Sequence, residues 1–361
     1  MTGIPTKSSR IVSLDQFRGY TVVGMLLVNF IGGYSVVPAI FKHHNTYCSY
    51  ADTIMPQFFF AVGFAYRLTF LRRLETAGAW TAIRAVLKRN AGLILLGFVI
   101  YHIDGSVKTW KELQGLSAGD LASRAFRREL FQTLVHIAVT SIWVLPVIAA
   151  GVVPRVIFLI ASAGLHLWLS SRFYLDMAWN PPRVIDGGPL GFLTWTIPVL
   201  VGSLAYDAMA GAQGRRLPIG KLAAWSCILM VAGYALSCAG GRWASPPFVA
   251  PPPRPSIELW TMSQRTGSVS YLTFAAGFSL AVYTLFVIAC DLGGFRSRLF
   301  QIYGQNALAA YILHPMVADA VQPYVPNDAP LWYLAAGFGL YFAICTLFIH
   351  YLEKNQIFLR L

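Results

Sequence analysis

Charge is what this chain has least of: Asp, Glu, Lys and Arg together make up 12% of its 361 residues, about half the share usual in a soluble domain. With 56% hydrophobic residues, there is too little polar surface to cover a water-soluble fold of this size. Cysteine is scarce as well. Cys48, Cys227, Cys238, Cys290 and Cys345 are scattered without a C-x-x-C pair, so neither a disulfide framework nor a zinc site is signalled, and no metal is expected. Acidic residues are outnumbered, 15 against 28 Lys and Arg. The cations nevertheless fall in short clusters between apolar runs, a pattern that orients membrane helices, and no nucleic-acid partner is expected. The polar stretch before Gly19 has no small-residue cleavage site, so the first apolar run is expected to remain as a span. No internal repeat is visible, which weakens a transporter reading, since many transporters are built from two related halves.

What the chain has in abundance is apolar sequence of membrane-crossing length, about 20 residues per span. Ten stretches qualify: 18–38, 52–71, 90–103, 130–150, 153–170, 189–209, 220–239, 269–290, 300–322 and 329–351. The fold expected is therefore all-α, a polytopic transmembrane bundle of about ten spans forming one domain over residues 1–361. The third stretch is short, and the fifth carries Ser162 and His166. Longer polar segments cover 104–129, 171–188 and 240–268, the last with a proline run at Pro251, Pro252, Pro253 and Pro255 that cannot be helix interior. With the N-terminus inside, sixteen Lys and Arg fall on the cytoplasmic side and eleven opposite. Both termini are thus predicted cytoplasmic, in the inner membrane of a bacterium.

Ionisable and amide side chains inside such stretches are costly and are candidates for function. Asp15 and Arg18, three apart where the chain enters the membrane, read as an interfacial ion pair. Asn29 lies eleven residues further on, about 16 Å along the helix, where its amide either bonds a neighbouring helix or faces a cavity. At the outer end of the same hairpin come His43 and His44, then Asp52 and Pro56. An imidazole there can take a proton from an attacking amine and return one to a leaving thiol, with Asp52 fixing its tautomer. The plainer reading is two solvated loop histidines.

The ninth stretch adds Asn306, Tyr311 and His314, the last two on one face, with Pro315 able to free backbone carbonyls beside them. Gln132 and His136, four apart in the fourth stretch, either line the same cavity or bond between helices. Trp260, Gln264 and Arg265 precede the eighth, and Arg265 is either a headgroup anchor or the partner of an anion.

Taken in order, SLDQFRG, VNFIGG, FKHH and ADTIMP resemble the pattern of the heparan-α-glucosaminide N-acetyltransferase family, in which D-x-F-R-G, V-N-x-G-G, K-H and A-D-x-x-x-P follow one another. DGGPLGFLTWTIPVLVG, LWTMSQR, YGQNALAAYILH and the ending KNQIFLRL are similar to further family segments, so the resemblance spans nearly the whole chain. It implies a transmembrane acyltransferase that moves an acetyl group from cytoplasmic acetyl-CoA to an amino sugar or related glycan on the periplasmic side, often as a homodimer. Carried over by motif, the catalytic histidine falls on FKHH and the functional asparagine on Asn29. The hairpin loop departs from the family in length: Lys-His spacing points to His43, and a His-x-x-aromatic pattern ending at Tyr47 points to His44, which is the preferred catalytic histidine on this resemblance. The acceptor-side loops differ too, so heparan sulfate itself is not the expected acceptor.

On this reading Asn29 positions the thioester, and Asp52 orients the imidazole. The cofactor phosphates would meet cations among Arg72, Arg73, Arg84, Lys88 and Arg89, whose alternative role is membrane orientation alone. Asn306, Tyr311, His314, Trp260 and Arg265 are the candidates for acceptor binding. The rival class is a secondary transporter of a small polar or sugar-like solute, using the same buried polar groups without covalent change.

Overall fold

The computed structural model describes residues 11–102, 107, 109–125, 128–212, 216–241, 243–252 and 257–359, and every regular element among them is helical. Of the cations used for orientation, Lys7, Arg10, Arg215 and Arg360 on one side and Lys108, Arg127, Arg242 and Arg254 on the other lie outside the described residues, as do Pro253 and Pro255. Among the described residues, five helical stretches are long and apolar enough to cross a membrane: Val152–Trp179, Gly188–Ala210, Ile219–Ser237, Val269–Leu292 and Leu331–Lys354. This is consistent with a multi-pass membrane protein.

The chain opens with α1 (Val12–Ile31), which stops at Gly32 and Gly33, short of the expected residue 38. A loop carrying a single 3₁₀ turn leads to α2 (Tyr50–His102). This element merges the second and third expected spans into two limbs that meet at Gly78, whose φ of 80° and ψ of 168° suit a residue without a Cβ. Two short helices follow, α3 (Trp110–Gln114) and α4 (Ala118–Ala125). Then comes α5 (Thr133–Trp143), half the length expected for the fourth span because the chain turns repeatedly from Val144 to Ala149. The fifth span runs longer than expected: α6 (Val152–Leu169) continues through a π-turn into α7 (Leu175–Trp179). Next are α8 (Phe192–Ala210), α9 (Ile219–Ser237) and α10 (Val269–Phe286). The ninth expected span is broken at Asn306 (φ −115°, ψ 32°) into α11 (Arg298–Gln305) and α12 (Ala307–Val321). The last helix is α13 (Leu331–Lys354).

Buried apolar side chains form two main clusters, one built on α2, α5, α8 and α10, the other on α1, α11, α12 and α13. In the first, α2 and α8 cross at small residues. A Cβ at Gly63 would collide with the Val199 carbonyl, and one at Gly202 with the Phe60 carbonyl, the close backbone approach that packs helices where no hydrophobic force operates between them.

Polar locks join the helix ends. Gln16 of α1 donates to the Ser297 carbonyl at 3.1 Å and accepts from its N–H at 2.9 Å, and Arg298 reaches Glu353 at 2.8 Å. Arg18 faces Asp15 at 3.9 Å, as expected. Arg155, one of the sixteen cations counted on the cytoplasmic side, is fully buried: it pairs with Asp207 and donates to Ser203 at 2.8 Å. Arg67, in the first limb of α2, donates to the same carboxylate at 3.0 and 3.3 Å and to the Ile148 carbonyl at 2.5 Å. One aspartate thus holds two guanidinium groups between α2, α6 and α8.

Candidate active site

A cavity of about 550 Å³ opens where the two clusters meet, at the end of α1 away from Arg18. Its wall takes Met25, Val28 and Asn29 from α1, Ile54, Met55, Phe58 and Tyr101 from the two limbs of α2, and Tyr311, His314 and Pro315 from α12. Loop residues close it, with His43, Asp186, Gln264 and Arg265 among them.

The start of α2 builds the first half of the site. Ser49 Oγ accepts from the Asp52 N–H at 3.3 Å, and the Asp52 carboxylate accepts from the Ser49 N–H at 3.0 Å, a capping box with aspartate at its third position. The carboxylate, 1% exposed, also accepts from the His44 N–H at 3.3 Å and lies 3.0 Å from His43 Nδ1. His43 therefore donates Nδ1–H to Asp52 and turns Nε2 to the cavity, where its side chain is 46% exposed. Pro56 has no N–H for the Asp52 carbonyl, and Tyr271 of α10 donates to that oxygen at 2.5 Å instead. Helix start, capping box and proline together fix where Asp52 points.

His44 takes no part in the cavity wall. Its Nε2–H donates to the Ala39 carbonyl at 2.9 Å, and its ring packs edge-on against Tyr47 at 5.3 Å. The His-x-x-aromatic pattern thus describes a loop brace, and of the two loop histidines it is His43, not the expected His44, that lines the cavity.

Proline acts a second time in α12. Pro315 leaves the Tyr311 carbonyl without its helical donor, and His314 Nδ1–H takes it at 2.7 Å. His314 Nε2 is then an acceptor and receives Asn29 Nδ2–H at 3.2 Å. Asn29 and His314, on α1 and α12, are joined across the cavity wall. Tyr311 completes the face and meets the hydroxyl of Tyr101 at 2.5 Å.

Opposite His43, the segment Asp186–Gly191 packs against Gln264–Gly267. Gly187 (φ 90°) and Gly267 (φ 61°) touch backbone to backbone, and a Cβ on Gly187 would lie 3.2 Å from the Cα of Gly267. The Gly187 N–H donates to the Arg265 carbonyl at 3.0 Å, Trp195 Nε1–H to the Asp186 carbonyl at 2.7 Å, and Gln264 Nε2–H to Asp186 Oδ1 at 2.7 Å. Asp186 itself has φ 55° and is 7% exposed. Burial pushes its carboxyl up to about 6, the Asp52 charge adds to this, and the Gln264 hydrogen bond and the His43 charge oppose it. For His43, burial works toward a lower value, but the hydrogen bond and charge of Asp52, with Asp186 and Gln264 behind them, hold it above the ordinary histidine value.

Other expected site residues are not brought here. Asn306 is buried at the α11–α12 break, and Trp260 offers only its carbonyl, to Ser270 Oγ at 2.8 Å. Gln132 lines the cavity, but His136 packs between Phe131 and Trp195. Arg265 does line it, stacked over Trp179 at 5.1 Å.

Arg72, Arg73 and Lys88 are exposed and Arg89 half-buried near Gly78. Arg73 is 15 residues along α2 from Phe58, about 22 Å from the cavity. Buried polar atoms without hydrogen-bond partners among the described residues occur on both limbs of α2, at the Gln57 carbonyl and Asn90, and on α5, at Thr140 and Ser141. Tyr66, between Phe58 and Arg73 on α2, donates to the Ser141 carbonyl at 3.2 Å and stands within electrostatic reach of Arg89.

No family model matches the chain, and no curated protein matches it.

Proposed function

We propose that this chain is a transmembrane acetyltransferase that carries an acetyl group from cytoplasmic acetyl-CoA to an amino sugar or related glycan on the other side. The observation that carries the reading is His43, held by buried Asp52 with Nε2 turned toward a cavity whose far wall is the Asn29–His314 pair. An imidazole so held can remove a proton from an amine as it attacks a thioester and deliver one to the departing thiolate, and the carboxylate stabilises the imidazolium between those events. Asn29, with its oxygen uncommitted to His314, is placed to orient the acyl group. The cations near Gly78 would hold the phosphates, and the polar side chains of Gln57, Thr140, Ser141 and Asn90 would line the way of the pantetheine arm to the cavity.

The reading assigns about ten spans, both termini to the cytoplasm, the cations near Gly78 to the donor side and the cavity mouth to the periplasm of a bacterial inner membrane. Reporter fusions after residues 214 and 361 are then expected to read cytoplasmic and one near residue 250 periplasmic. Inverted membrane vesicles should consume added acetyl-CoA, and sealed right-side-out vesicles should not. Equal consumption in the two orientations, or a periplasmic C-terminus, rules the arrangement out.

The break between α11 and α12 favours the second reading, a secondary transporter, because interrupted helices are where such proteins bind solutes. Uptake of a sugar-like solute with no acetyl product would select it.

A further inference from the structure

Asp186 has no part in the acetyl transfer proposed above, yet its conformation and its polar atoms are held by several neighbours. Its backbone sits in the left-handed region, its carbonyl is held by Trp195, and its carboxylate by Gln264. The next residue is pinned twice, its N–H to the Arg265 carbonyl and its carbonyl to the Tyr174 hydroxyl. A non-glycine residue in this conformation persists only where its surroundings over-determine it, and such residues collect at ligand sites. Here the result is an almost fully buried carboxylate in the cavity wall, within electrostatic reach of His43. Asp52 cannot serve a ligand in the same way, because Ser49, His43 and His44 already occupy its oxygens.

Resting on the acetyl-transfer reading, we propose that Asp186 is the acceptor's ammonium-binding residue, which makes this cavity select a primary amine over a hydroxyl. An amino sugar reaches the cavity mainly as its ammonium ion, which cannot attack. Bound to Asp186, the ammonium gives one proton to the carboxylate, and the freed lone pair attacks the thioester carbonyl carbon. The carbon–sulfur bond then breaks, and the second nitrogen proton passes through His43 Nε2 to the thiolate. The products are the amide, the free thiol of CoA and one proton, which leaves Asp186 for solvent. A carboxyl titrating near 6 suits both steps, being ionised at neutral pH to bind the cation and basic enough to accept its proton. The other charged groups around it are His43, Asp52 and Arg265.

The experiment is equilibrium dialysis of labelled D-glucosamine against the full-length protein in detergent at pH 7.5, with D-glucose and N-acetyl-D-glucosamine as competitors and acetyl-CoA turnover measured on the same samples. A charged hydrogen bond to a buried partner corresponds to about tenfold or more in affinity. Wild type should therefore prefer glucosamine to glucose by at least about that factor, Asp186→Asn should abolish the preference, and Asp186→Glu should restore part of it. The preference in wild type tests the proposal even if Asp186→Asn fails to fold. Equal binding of glucosamine and glucose, or an Asp186→Asn variant that keeps the preference, overturns it. Acetyl-CoA turnover without amine preference leaves the acetyltransferase reading standing and removes Asp186 from it. Amine preference that depends on Asp186, without turnover, does the opposite.

Discussion

His43→Ala is expected to lower acetyl transfer by about 10² to 10⁴, the range over which positioned acids and bases accelerate reactions, while expression and thermal stability in detergent stay near wild type. Its side chain is 46% exposed and belongs to neither apolar cluster, so removing it leaves no cavity in them. His44→Ala should do the reverse, loosening the loop through loss of the Ala39 and Tyr47 contacts while sparing the chemistry. Asp52→Asn separates orientation from chemistry through pH. The carboxylate holds His43 above its ordinary value, and the base must be neutral to act, so the wild-type rate should rise with pH through that elevated value. Without the Asp52 charge the imidazolium is less stable, and the acidic limb of the profile should move to lower pH as the maximum falls. Full activity in His43→Ala, or an acidic limb moved upward in Asp52→Asn, removes His43 from its role and leaves His314, with Asn29, as the imidazole to test.

The largest loss of stability is expected from Asp207. Arg155 is fully buried and Arg67 nearly so, and Asp207 is the carboxylate that both guanidinium groups share. Breaking a buried ion pair by removing one partner typically costs about 3–5 kcal/mol, because the remaining charge stays desolvated. Asp207→Asn should therefore lower the unfolding midpoint in detergent far more than Arg298→Gln, whose guanidinium is 61% exposed in its pair with Glu353. A triple change, Arg67→Met, Arg155→Met and Asp207→Leu, should recover much of the loss by removing the charges together. An Asp207→Asn protein that melts with wild type would show that water reaches these guanidinium groups.

Several of these features were within reach of sequence reasoning and several were not, for physical reasons. Ten apolar stretches announce helices because their length is set by the bilayer, and helices occupy all ten, although five meet the length and apolarity needed to cross a membrane. Asn29, His314 and Pro315 stood out as polar or helix-breaking residues in apolar surroundings, and they meet at the cavity. The choice between His43 and His44 was not legible, because neighbouring loop residues differ only in where the chain turns them, and that is decided by the Ser49–Asp52 capping box. Asp186 sat within a recognised motif without a role, since its importance comes from folding Asp186–Gly191 onto Gln264–Gly267, a contact between residues nearly 80 positions apart. Arg67 did carry a signal, an arginine inside an apolar stretch, whereas its partner Asp207 looked like an ordinary helix end.

Labelled acetyl-CoA offered to the purified, detergent-solubilised protein, with and without a hexosamine, is the most direct measurement of the central claim. The account predicts acetyl transfer to the hexosamine nitrogen, with stoichiometric release of CoA, dependent on His43. Failure of wild-type protein to move label to any hexosamine, with intact acetyl-CoA recovered, would contradict it.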